Sequence, residues 1–365
     1  MKLFPELNEK YTNEQMSARD AQRLAQFIAF GPVVFQVSRL MIKFGILEKL
    51  RDSEKGLTQQ EISEQTGLSE YAVKVLTEAS LSIGSILVNP GTGRYSLSKT
   101  GHFLLCDPAT RVNVDFNQDV NYEGWFWLEE ALLKGQPAGL KHFGRWPTVY
   151  EGLSQLPEQV RKSWFAFDHF YSDQAFDAAL PVVFANNPCT LLDVGGNTGR
   201  WALRCVKYNK DVCVTILDLP QQLEMMKVQT AGKEGADRIS GYAIDLLNGN
   251  ARFPDVPSAT AIWMSQFLDC FGEDEIVSIL TRAAAVMTED TRLYILEPFW
   301  DRQKYETATF CLTQTSLYFT AIANGNSKMY HSEDMQRMVE TAGLQVETIH
   351  DQLGHGHSIM VCKLK

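Results

Sequence analysis

The sequence predicts an α/β fold: a seven-stranded, mostly parallel sheet that follows a mainly helical N-terminal region. From Cys189 onward, short strand-like runs alternate with helix-like runs, which is typical of a parallel sheet with helices on both faces. The last two strand-like runs are joined by a short turn, which makes them an antiparallel C-terminal hairpin. The seven runs are 189–194, 212–217, 238–244, 259–267, 291–297, 344–350 and 357–363.

The composition is that of an ordinary folded protein with room for two domains. The 365 residues are 45% apolar and 21% charged. The net charge of −10 argues against nucleic acid as a partner, because phosphate binding requires clustered Lys and Arg. Seven scattered cysteines with no C-x-x-C pair indicate a reducing compartment.

The sequence shows no signal core and no membrane-spanning run. Residues 1–14 are polar, without the apolar core of a signal peptide. The richest apolar stretch, residues 33–50, contains four charged residues and falls short of the ~18 apolar residues that a membrane span needs. We therefore expect a cytoplasmic protein without a membrane partner.

The first helical segment is expected over residues 21–50, with a break near Gly31-Pro32. Proline at this point suits the start of a new helix. Residues 33–44 leave little polar face, which predicts a buried helix, with a second subunit as one candidate for what covers it.

A winged-helix arrangement is expected next. Thr58 and Ser69 can cap two short helices over residues 57–88, and residues 88–97 read as a strand–turn–strand wing. Such a shape either binds DNA or serves dimerisation. The helix that would enter a DNA groove offers only Lys74, so dimerisation is the favoured role.

Residues 115–180 predict a mainly helical segment crowded with aromatic side chains. Most of these rings are expected in the core, and a few are expected to wall a pocket for a flat, apolar ligand. The rings are Trp125, Phe126, Trp127, Phe143, Trp146, Trp164, Phe165, Phe167, Phe170 and Tyr171.

Residues 191–199 carry the strongest local signal in the chain. A strand ends at Asp193-Val194, a glycine-rich turn follows, and a helix is expected from Arg200 to Tyr208. This arrangement presents backbone N–H groups to a nucleotide-like ligand. The Asp193 carboxylate would repel a diphosphate and attract a cationic group. The spacing is not the G-x-G-x-x-G of dinucleotide sites, and Asn197 is a residue that tolerates the left-handed conformation.

Acidic residues are expected at the carboxyl ends of four strands, where open α/β sheets bind ligands: Asp193, Asp218, Asp245 and Glu297. Asp218 can accept hydrogen bonds from both hydroxyls of a ribose. Asp245 can accept one from the exocyclic amine of a purine. Taken singly, each of these residues is also compatible with a helix cap or a solvated turn.

An ordered set of short motifs runs along nearly the whole chain. The motifs are Phe44–Leu47, Gly93–Leu97, Asp193–Gly199, Leu217–Pro220, Asp245, Phe271–Glu275, Glu297 and Ala342–Leu344. In this order they resemble the class I S-adenosylmethionine-dependent methyltransferases. More narrowly, the chain is similar to the caffeate/acetylserotonin-type small-molecule O-methyltransferases and their bacterial relatives.

The resemblance implies a Rossmann-like methyltransferase sheet and a homodimer. By resemblance, residues 1–112 form a winged-helix-like dimerisation domain, residues 113–185 a helical acceptor-pocket region, and residues 186–365 the catalytic domain. It implies that S-adenosyl-L-methionine is held by Asp193, Gly195, Gly196, Gly199, Asp218, Leu219, Asp245 and Leu246. Acceptor contacts are expected to come partly from the partner subunit.

The chain departs from the family at the catalytic base. Plant-type members place a histidine in a Leu-His-Asp-Trp run, whereas this chain has Asp269 at that place and Met329 near the place of a second acidic residue. Glu297 is retained. A phenol titrates near ~10 and a free Asp near ~4, so Asp269 needs a raised pKa to act as base. A purely structural carboxylate is the alternative for Asp269.

Two further groups of residues are candidates. His169 and Tyr171 lie just before the predicted sheet, and His169 is either a base or a satisfied core histidine. His355 and His357 alternate along the chain, but no third metal ligand is evident, so no metal is expected.

We therefore expect a homodimeric enzyme that methylates a phenolic or enolic oxygen of an aromatic or apolar small molecule, with Asp269, Glu297 and His169 as catalytic candidates. Two alternatives stay open. One is a family member that binds the cofactor but has lost or altered the transfer. The other is a winged-helix transcription factor that senses a ligand.

Overall fold

A computed structural model describes residue 3, residues 5–255 and residues 260–365. Residue 259 of the predicted run 259–267, and residues 1, 2 and 4 of the predicted polar N-terminus, lie outside the described residues. The chain divides into two compact units, residues 14–119 and residues 1–13 with 120–365. The predicted boundaries after residues 112 and 185 remain predictions.

Helices dominate the first half of the chain, and strands alternate with helices in the second half. The α-helices are α1 Pro5–Thr12, α2 Ala18–Ala29, α3 Gly31–Lys43, α4 Ile46–Arg51, α5 Gln59–Thr66, α6 Glu70–Ile83, α7 Lys99–Cys106, α8 Pro108–Phe116, α9 Leu128–Lys134, α10 Val149–Gly152, α11 Glu158–Ser172, α12 Phe176–Val183, α13 Arg200–Tyr208, α14 Pro220–Thr230, α15 Glu273–Ala284, α16 Glu306–Tyr318 and α17 Ser332–Thr341. The strands are β1 Ile86–Asn89, β2 Arg94–Leu97, β3 Thr190–Val194, β4 Cys213–Asp218, β5 Ile239–Ala243, β6 Thr260–Ser265, β7 Arg292–Glu297, β8 Leu344–Leu353 and β9 His357–Leu364.

The smaller unit has the predicted winged-helix elements. Thr58 caps α5, and its side chain and that of Glu61 satisfy each other's backbone N–H groups. Ser69 caps α6, and β1 pairs antiparallel with β2 as the wing. The helix break at Gly31-Pro32 is also as predicted.

Within the single chain, the predicted burial of residues 33–44 is found for one side of α3, and burial of the other side against a second subunit remains a prediction. Val37 and Met41 are buried, but Val33 is 56% exposed. The exposed apolar surface continues onto α2, where Phe27 and Ile28 lie open and no residue is buried. Packing within one chain covers a single face of α3 and no face of α2. No single helix of the described residues is long and apolar enough to cross a membrane. Helices α2 and α3 reach that length and composition only when taken together, and they are bent by 68° at the break between them.

The larger unit contains the predicted seven-stranded sheet, in the order β5-β4-β3-β6-β7-β9-β8. Strands β3 to β7 run parallel, whereas β9 is antiparallel to β7 and β8. A hydrophobic core lies on each face of the sheet, one beneath α15 and α17 and the other beneath α12 and α13. The carboxyl ends of β3, β4, β6 and β7 therefore meet at one edge, as the predicted fold class requires.

The expectation that most aromatic rings of residues 115–180 lie in the core is wrong. Phe126 and Trp127 are exposed, and the other eight rings are only half-buried. The reason is visible on α11, where the aromatic rings occupy several sides of the helix and only Val160 and Ser163 are buried.

Candidate active site

The turn after β3 is as tight as the sequence predicts. Gly195 has φ +71°, and a Cβ there would lie 2.3 Å from the Phe267 ring. A Cβ on Gly196 would lie 2.5 Å from Asp193 Oδ2. Asn197 takes the left-handed conformation, with φ 48°. The turn thus leaves no space for a side chain at either glycine, because the Phe267 ring and the Asp193 carboxyl fill it.

Asp218 joins the ends of β3 and β4. Its Oδ2 accepts a hydrogen bond from the Asn197 N–H at 2.9 Å, and its Oδ1 accepts one from the Leu219 N–H at 2.7 Å. Burial raises the pKa of this carboxyl, and the two N–H groups oppose the rise. Asp218 therefore fixes the glycine turn and still has lone pairs for further donors.

Asp193 lies buried beneath the glycine turn, and its Oδ2 has no hydrogen-bond partner. Burial, with a smaller contribution from the charge of Asp218, raises the pKa of this carboxyl to about 8. Gly199 completes the turn with φ +79° and begins α13.

Asp245 and Leu246 follow β5. Asp245 is exposed, and its Oδ1 accepts a hydrogen bond from the Leu247 N–H at 3.0 Å. Leu246 is buried in the core. The structure places both residues on the same side of the sheet as Asp218, beyond the carboxyl end of the edge strand β5.

Unpartnered buried polar atoms concentrate at this edge of the sheet. Buried polar groups in proteins normally have partners, so such a concentration indicates a place where a ligand supplies them. The atoms at or just beyond the ends of β3, β6 and β7 are Asp193 Oδ2, Asn197 Oδ1, Ser265 Oγ, Gln266 Oε1 and Glu297 Oε2.

Glu297 ends β7 and holds the loop that follows β6. Its Oε1 accepts hydrogen bonds from the N–H groups of Phe267 and Leu268, at 3.1 and 3.0 Å. The carboxyl is 3% exposed, and burial, followed by the charge of Asp269, raises its pKa well above the usual range. Glu297 thereby positions the loop that carries Asp269.

Asp269 lies in that loop and is 4% exposed. Burial raises the pKa of its carboxyl to about 7, the Cys270 thiol at 3.5 Å opposes the rise, and the charge of Asp168 adds to it. A carboxyl in this range is half-ionised at neutral pH, which is where a proton acceptor is most useful.

The residues around Asp269 include Trp164, one of the aromatic rings named from the sequence, and two tyrosines that the sequence did not single out. Trp164 of α11 donates its indole N–H to the Tyr318 hydroxyl at 2.7 Å, and the charge of Asp269 acts on both Tyr318 and Tyr150. No sequence signal identified Tyr150 and Tyr318, because they come from two helices, α10 and α16, that lie far apart in the chain. We call the residues Tyr150, Trp164, Asp168, Asp269, Cys270 and Tyr318 the Asp269 cluster.

His169 lies next to the Asp269 cluster on α11. Its Nδ1 is 3.7 Å from Asp168 Oδ2, and its ring stacks on Phe165. Burial, followed by the charge of Arg200, lowers the pKa of His169, so the ring is neutral at physiological pH. Tyr171, on the same helix, packs its ring against Phe167.

The two histidines near the C-terminus do not lie on one face of a strand. His355 is in the turn before β9 and stacks on Phe170, whereas His357 begins β9 and is fully buried. Within the described residues, no group of three or more His, Cys, Asp or Glu side chains is placed to hold a metal ion.

Comparison with known protein families identifies the family to which this chain belongs. Residues 175–345 match the O-methyltransferase domain family, and residues 22–95 match the dimerisation2-like domain. The chain is an S-adenosylmethionine-dependent O-methyltransferase. The two matches cover the five parallel strands with their glycine turn and most of the winged-helix unit, as the sequence motifs predict.

Individual relatives of this O-methyltransferase agree over most of its length. The L-tyrosine C(3)-methyltransferase of Streptomyces lavendulae is 23% identical over 90% of this chain and 88% of its own. The mitomycin 7-O-methyltransferase structure superposes with a TM-score of 0.71 at 18% identity, over 95% of this chain and 98% of that one. The human N-acetylserotonin methyltransferase structure with S-adenosylmethionine has a TM-score of 0.67 at 16% identity, over 97% and 99%.

The geometry of the O-methyltransferase fits the cofactor of its family. A nucleoside with a charged sulfonium needs hydroxyl acceptors, close backbone approach and negative charge. Asp218 offers the first and the Gly195–Gly199 turn the second. The buried Asp193 carboxyl, whose pKa is raised to about 8, offers the third when a nearby cation favours its ionised form. The unpartnered atoms at the sheet edge are consistent with this fit.

Proposed function

We propose that this O-methyltransferase methylates a hydroxyl group of an aromatic small molecule, with Asp269 as the base. The observation that carries the proposal is the position of Asp269. It is a buried carboxyl whose loop is held by Glu297 and whose cluster contains the aromatic rings of Trp164 and Tyr318. By the resemblance of the motifs, Asp269 occupies the position of the histidine base of plant-type members. A carboxylate would therefore replace the imidazole at the same position.

Residues at the sheet edge are proposed to hold S-adenosylmethionine. Asp218 accepts from the ribose hydroxyls, and Asp245 with Leu246 flanks the adenine. The turn containing Gly195, Gly196 and Gly199 approaches the methionyl part, and the sulfonium would favour the ionised form of the buried Asp193 carboxyl. Leu219, whose N–H already bonds to Asp218, fixes the start of the next helix.

The bound cofactor supplies a methyl group that is already activated as a sulfonium. The protein has to orient the acceptor hydroxyl, exclude water and remove one proton. A phenol loses its proton near pH ~10, so a base near 7 is a better match than an ordinary carboxylate near 4. Burial of Asp269 supplies that change. His169, neutral and on the adjacent helix, is the second candidate for proton transfer.

We also propose that the enzyme is a homodimer through its N-terminal unit and acts in the cytoplasm. The exposed apolar face of α2 and α3 lies inside the region that matches the dimerisation2-like domain. No disulfide joins any of the seven cysteines, which is compatible with a reducing compartment.

Transfer of a labelled methyl group tests the proposal. The enzyme is incubated with methyl-¹³C S-adenosylmethionine and a mixture of catechol, hydroxynaphthoic acid and tyramine, and products are assigned by mass spectrometry and ¹³C NMR. We expect an O-methyl signal that Asp269→Asn lowers by roughly 10²-fold or more. The matched control is Asp177→Asn, since Asp177 is an exposed carboxyl paired with Arg204.

Two outcomes would contradict the proposal. A methyl signal on a ring carbon would show carbon methylation, the reaction for which the Streptomyces lavendulae relative is named, in place of oxygen methylation. Tight cofactor binding without any labelled product from a broad phenol extract would favour a family member that has lost the transfer.

A further inference from the structure

Arg282, in the last turn of α15, holds the loop that follows β5. Its Nη2 donates a hydrogen bond to the Leu246 carbonyl at 2.6 Å. Its Nη1 donates to the carbonyls of Asn248 and Ala251, at 3.1 and 3.2 Å. A fourth bond, from Nε to the Ser278 carbonyl at 3.2 Å, ties the guanidinium to its own helix. One side chain thus binds three carbonyl groups that are spread along the loop.

The helix that carries Arg282 is itself firmly anchored. Ile276, Ile279, Leu280 and Ala283 of α15 are buried in the hydrophobic core on one face of the sheet. The guanidinium is planar and offers several N–H donors in a fixed arrangement, so it can reach separate carbonyls at once, whereas a lysine ammonium cannot match that arrangement. Arg282 therefore connects the loop to a rigid part of the molecule.

The loop that Arg282 holds adjoins the edge of the sheet where the cofactor is proposed to bind. The N–H of Ile244 donates to the Asp218 carbonyl at 3.0 Å, which ties the start of the loop to the end of β4. The next residue is Asp245, whose Oδ1 accepts a hydrogen bond from the Leu247 N–H at 3.0 Å. That bond shapes the turn locally, but the Asp245 side chain is exposed and is not held by packing. The bonds from Arg282 are what hold the far side of the loop.

We propose that Arg282 is a positioning residue for the cofactor. By holding the loop it sets the place of the Asp245 carboxylate, and with it the preference for adenine over a base that lacks the exocyclic amine. This inference rests on the adenine placement proposed above. The amine of adenine donates a hydrogen bond that a carboxylate accepts, whereas a carbonyl oxygen at the same position offers no donor. A shift of the loop by about 1 Å is enough to lose that hydrogen bond.

Calorimetric titration with two ligands tests the inference without requiring an acceptor. The ligands are S-adenosylhomocysteine and S-inosylhomocysteine, in which a carbonyl oxygen replaces the exocyclic amine. We expect the wild-type enzyme to bind S-adenosylhomocysteine roughly tenfold more tightly. Arg282→Lys keeps the positive charge but cannot bridge the three carbonyls, so this preference should nearly vanish, and affinity for S-adenosylhomocysteine should fall roughly tenfold. Arg282→Gln is the second variant if Arg282→Lys does not fold.

Arg238 offers a matched control away from the cofactor edge. Its guanidinium also donates to three backbone carbonyls, those of Asn209 and Val212 at 2.9 Å and that of Val206 at 2.6 Å. These carbonyls lie between the end of α13 and the amino end of β4. Arg238→Lys should lower the urea midpoint of unfolding, as Arg282→Lys does, but should leave the ligand preference unchanged. The preference therefore separates positioning from a general loss of stability.

Asp245→Ala separates this inference from the proposed placement of the adenine. Loss of the preference in both Asp245→Ala and Arg282→Lys supports the inference. A preference that Asp245→Ala removes but Arg282→Lys retains overturns the inference and leaves the adenine placement standing. A preference that survives Asp245→Ala, or a wild-type enzyme that binds both ligands equally, overturns the adenine placement and the inference with it. Loss of the preference in Arg238→Lys as well would also overturn the inference, because any loosening of the fold would then suffice.

Discussion

At the residue scale, Asp269 is an ionisable group in a buried position. The free energy of unfolding should therefore depend on pH through this residue. Its pKa is about 7 in the folded chain against an ordinary 3.8. The folded state therefore binds the proton more tightly than the unfolded state. Stability is undiminished below pH ~4, falls as the pH rises from about 4 to 7, and stays lowered above that range.

Asp269→Asn should therefore stabilise the enzyme at pH ~8 and leave it unchanged at pH ~4. A shift of about three pKa units corresponds to at most about 4 kcal/mol of unfolding free energy. Thermal unfolding at both pH values measures the difference. The exposed carboxyl of Asp177 provides the control, as Asp177→Asn. Equal melting temperatures for Asp269→Asn and the wild type at the higher pH would show that Asp269 ionises freely in the folded enzyme.

The sequence predicts the local geometry at the ends of β3 and β4 better than the residues around Asp269. Asp218 and Asn197 are visible as a strand end and a left-handed turn, because both depend on neighbours in the chain. Tyr150 and Tyr318 were missed, because they are 168 positions apart and only tertiary packing brings their hydroxyls near Asp269.

At the element scale, the β3–α13 turn depends on glycine for two separate reasons, and a pair of variants separates them. Gly195 and Gly232 have nearly the same φ, +71° and +72°. A Cβ at Gly195 would meet the Phe267 ring, whereas a Cβ at Gly232 meets nothing within 4 Å.

Gly232→Ala should cost only the left-handed backbone strain, about 1 kcal/mol of unfolding free energy. Gly195→Ala should cost clearly more and should also weaken S-adenosylhomocysteine binding, because Phe267 or the turn has to move. Urea unfolding and calorimetric titration measure the two effects. Equal losses for the two variants would mean that the contact with Phe267 is not restrictive.

Helix α11 shows where element-level prediction stops. Its position before the sheet and its aromatic content are evident in the sequence, but the expectation that its rings belong to the core is wrong. Aromatic content alone does not distinguish rings that pack in a hydrophobic core from rings that line a ligand pocket. That distinction depends on what lies opposite the helix.

At the scale of the whole molecule, the uncovered apolar face of α2 and α3 predicts an assembly. Phe27, Ile28, Phe30 and Val33 are all about half exposed or more in the single chain. Isolated apolar side chains on a surface are common, but a contiguous set usually marks an interface. A homodimer would bury this set.

Ile28→Asp should therefore shift the enzyme from dimer to monomer in light scattering after size exclusion. A charge introduced into a buried apolar contact costs several kcal/mol, enough to dissociate most dimers. Val228→Asp is the matched control, because Val228 is a similarly exposed apolar residue on α14. A dimer that survives Ile28→Asp would place the interface elsewhere.

The fold as a whole was predictable because its signals are periodic and local. Alternating strands and helices, the short link of the C-terminal hairpin and the capping residues Thr58 and Ser69 all recur in the structure. The burial of α3 was not predictable in detail, since an apolar helix looks the same whether its own chain or a second copy covers it.

Calorimetric titration with S-adenosylhomocysteine tests the central claim most directly, namely that the carboxyl edge of β3 and β4 holds an adenosyl cofactor. The wild-type enzyme should bind, Asp218→Ala should lose roughly 1–3 kcal/mol of affinity, and Asp211→Ala, which changes an exposed carboxyl before β4, should lose none. Equal affinity of Asp218→Ala and the wild type would contradict the account.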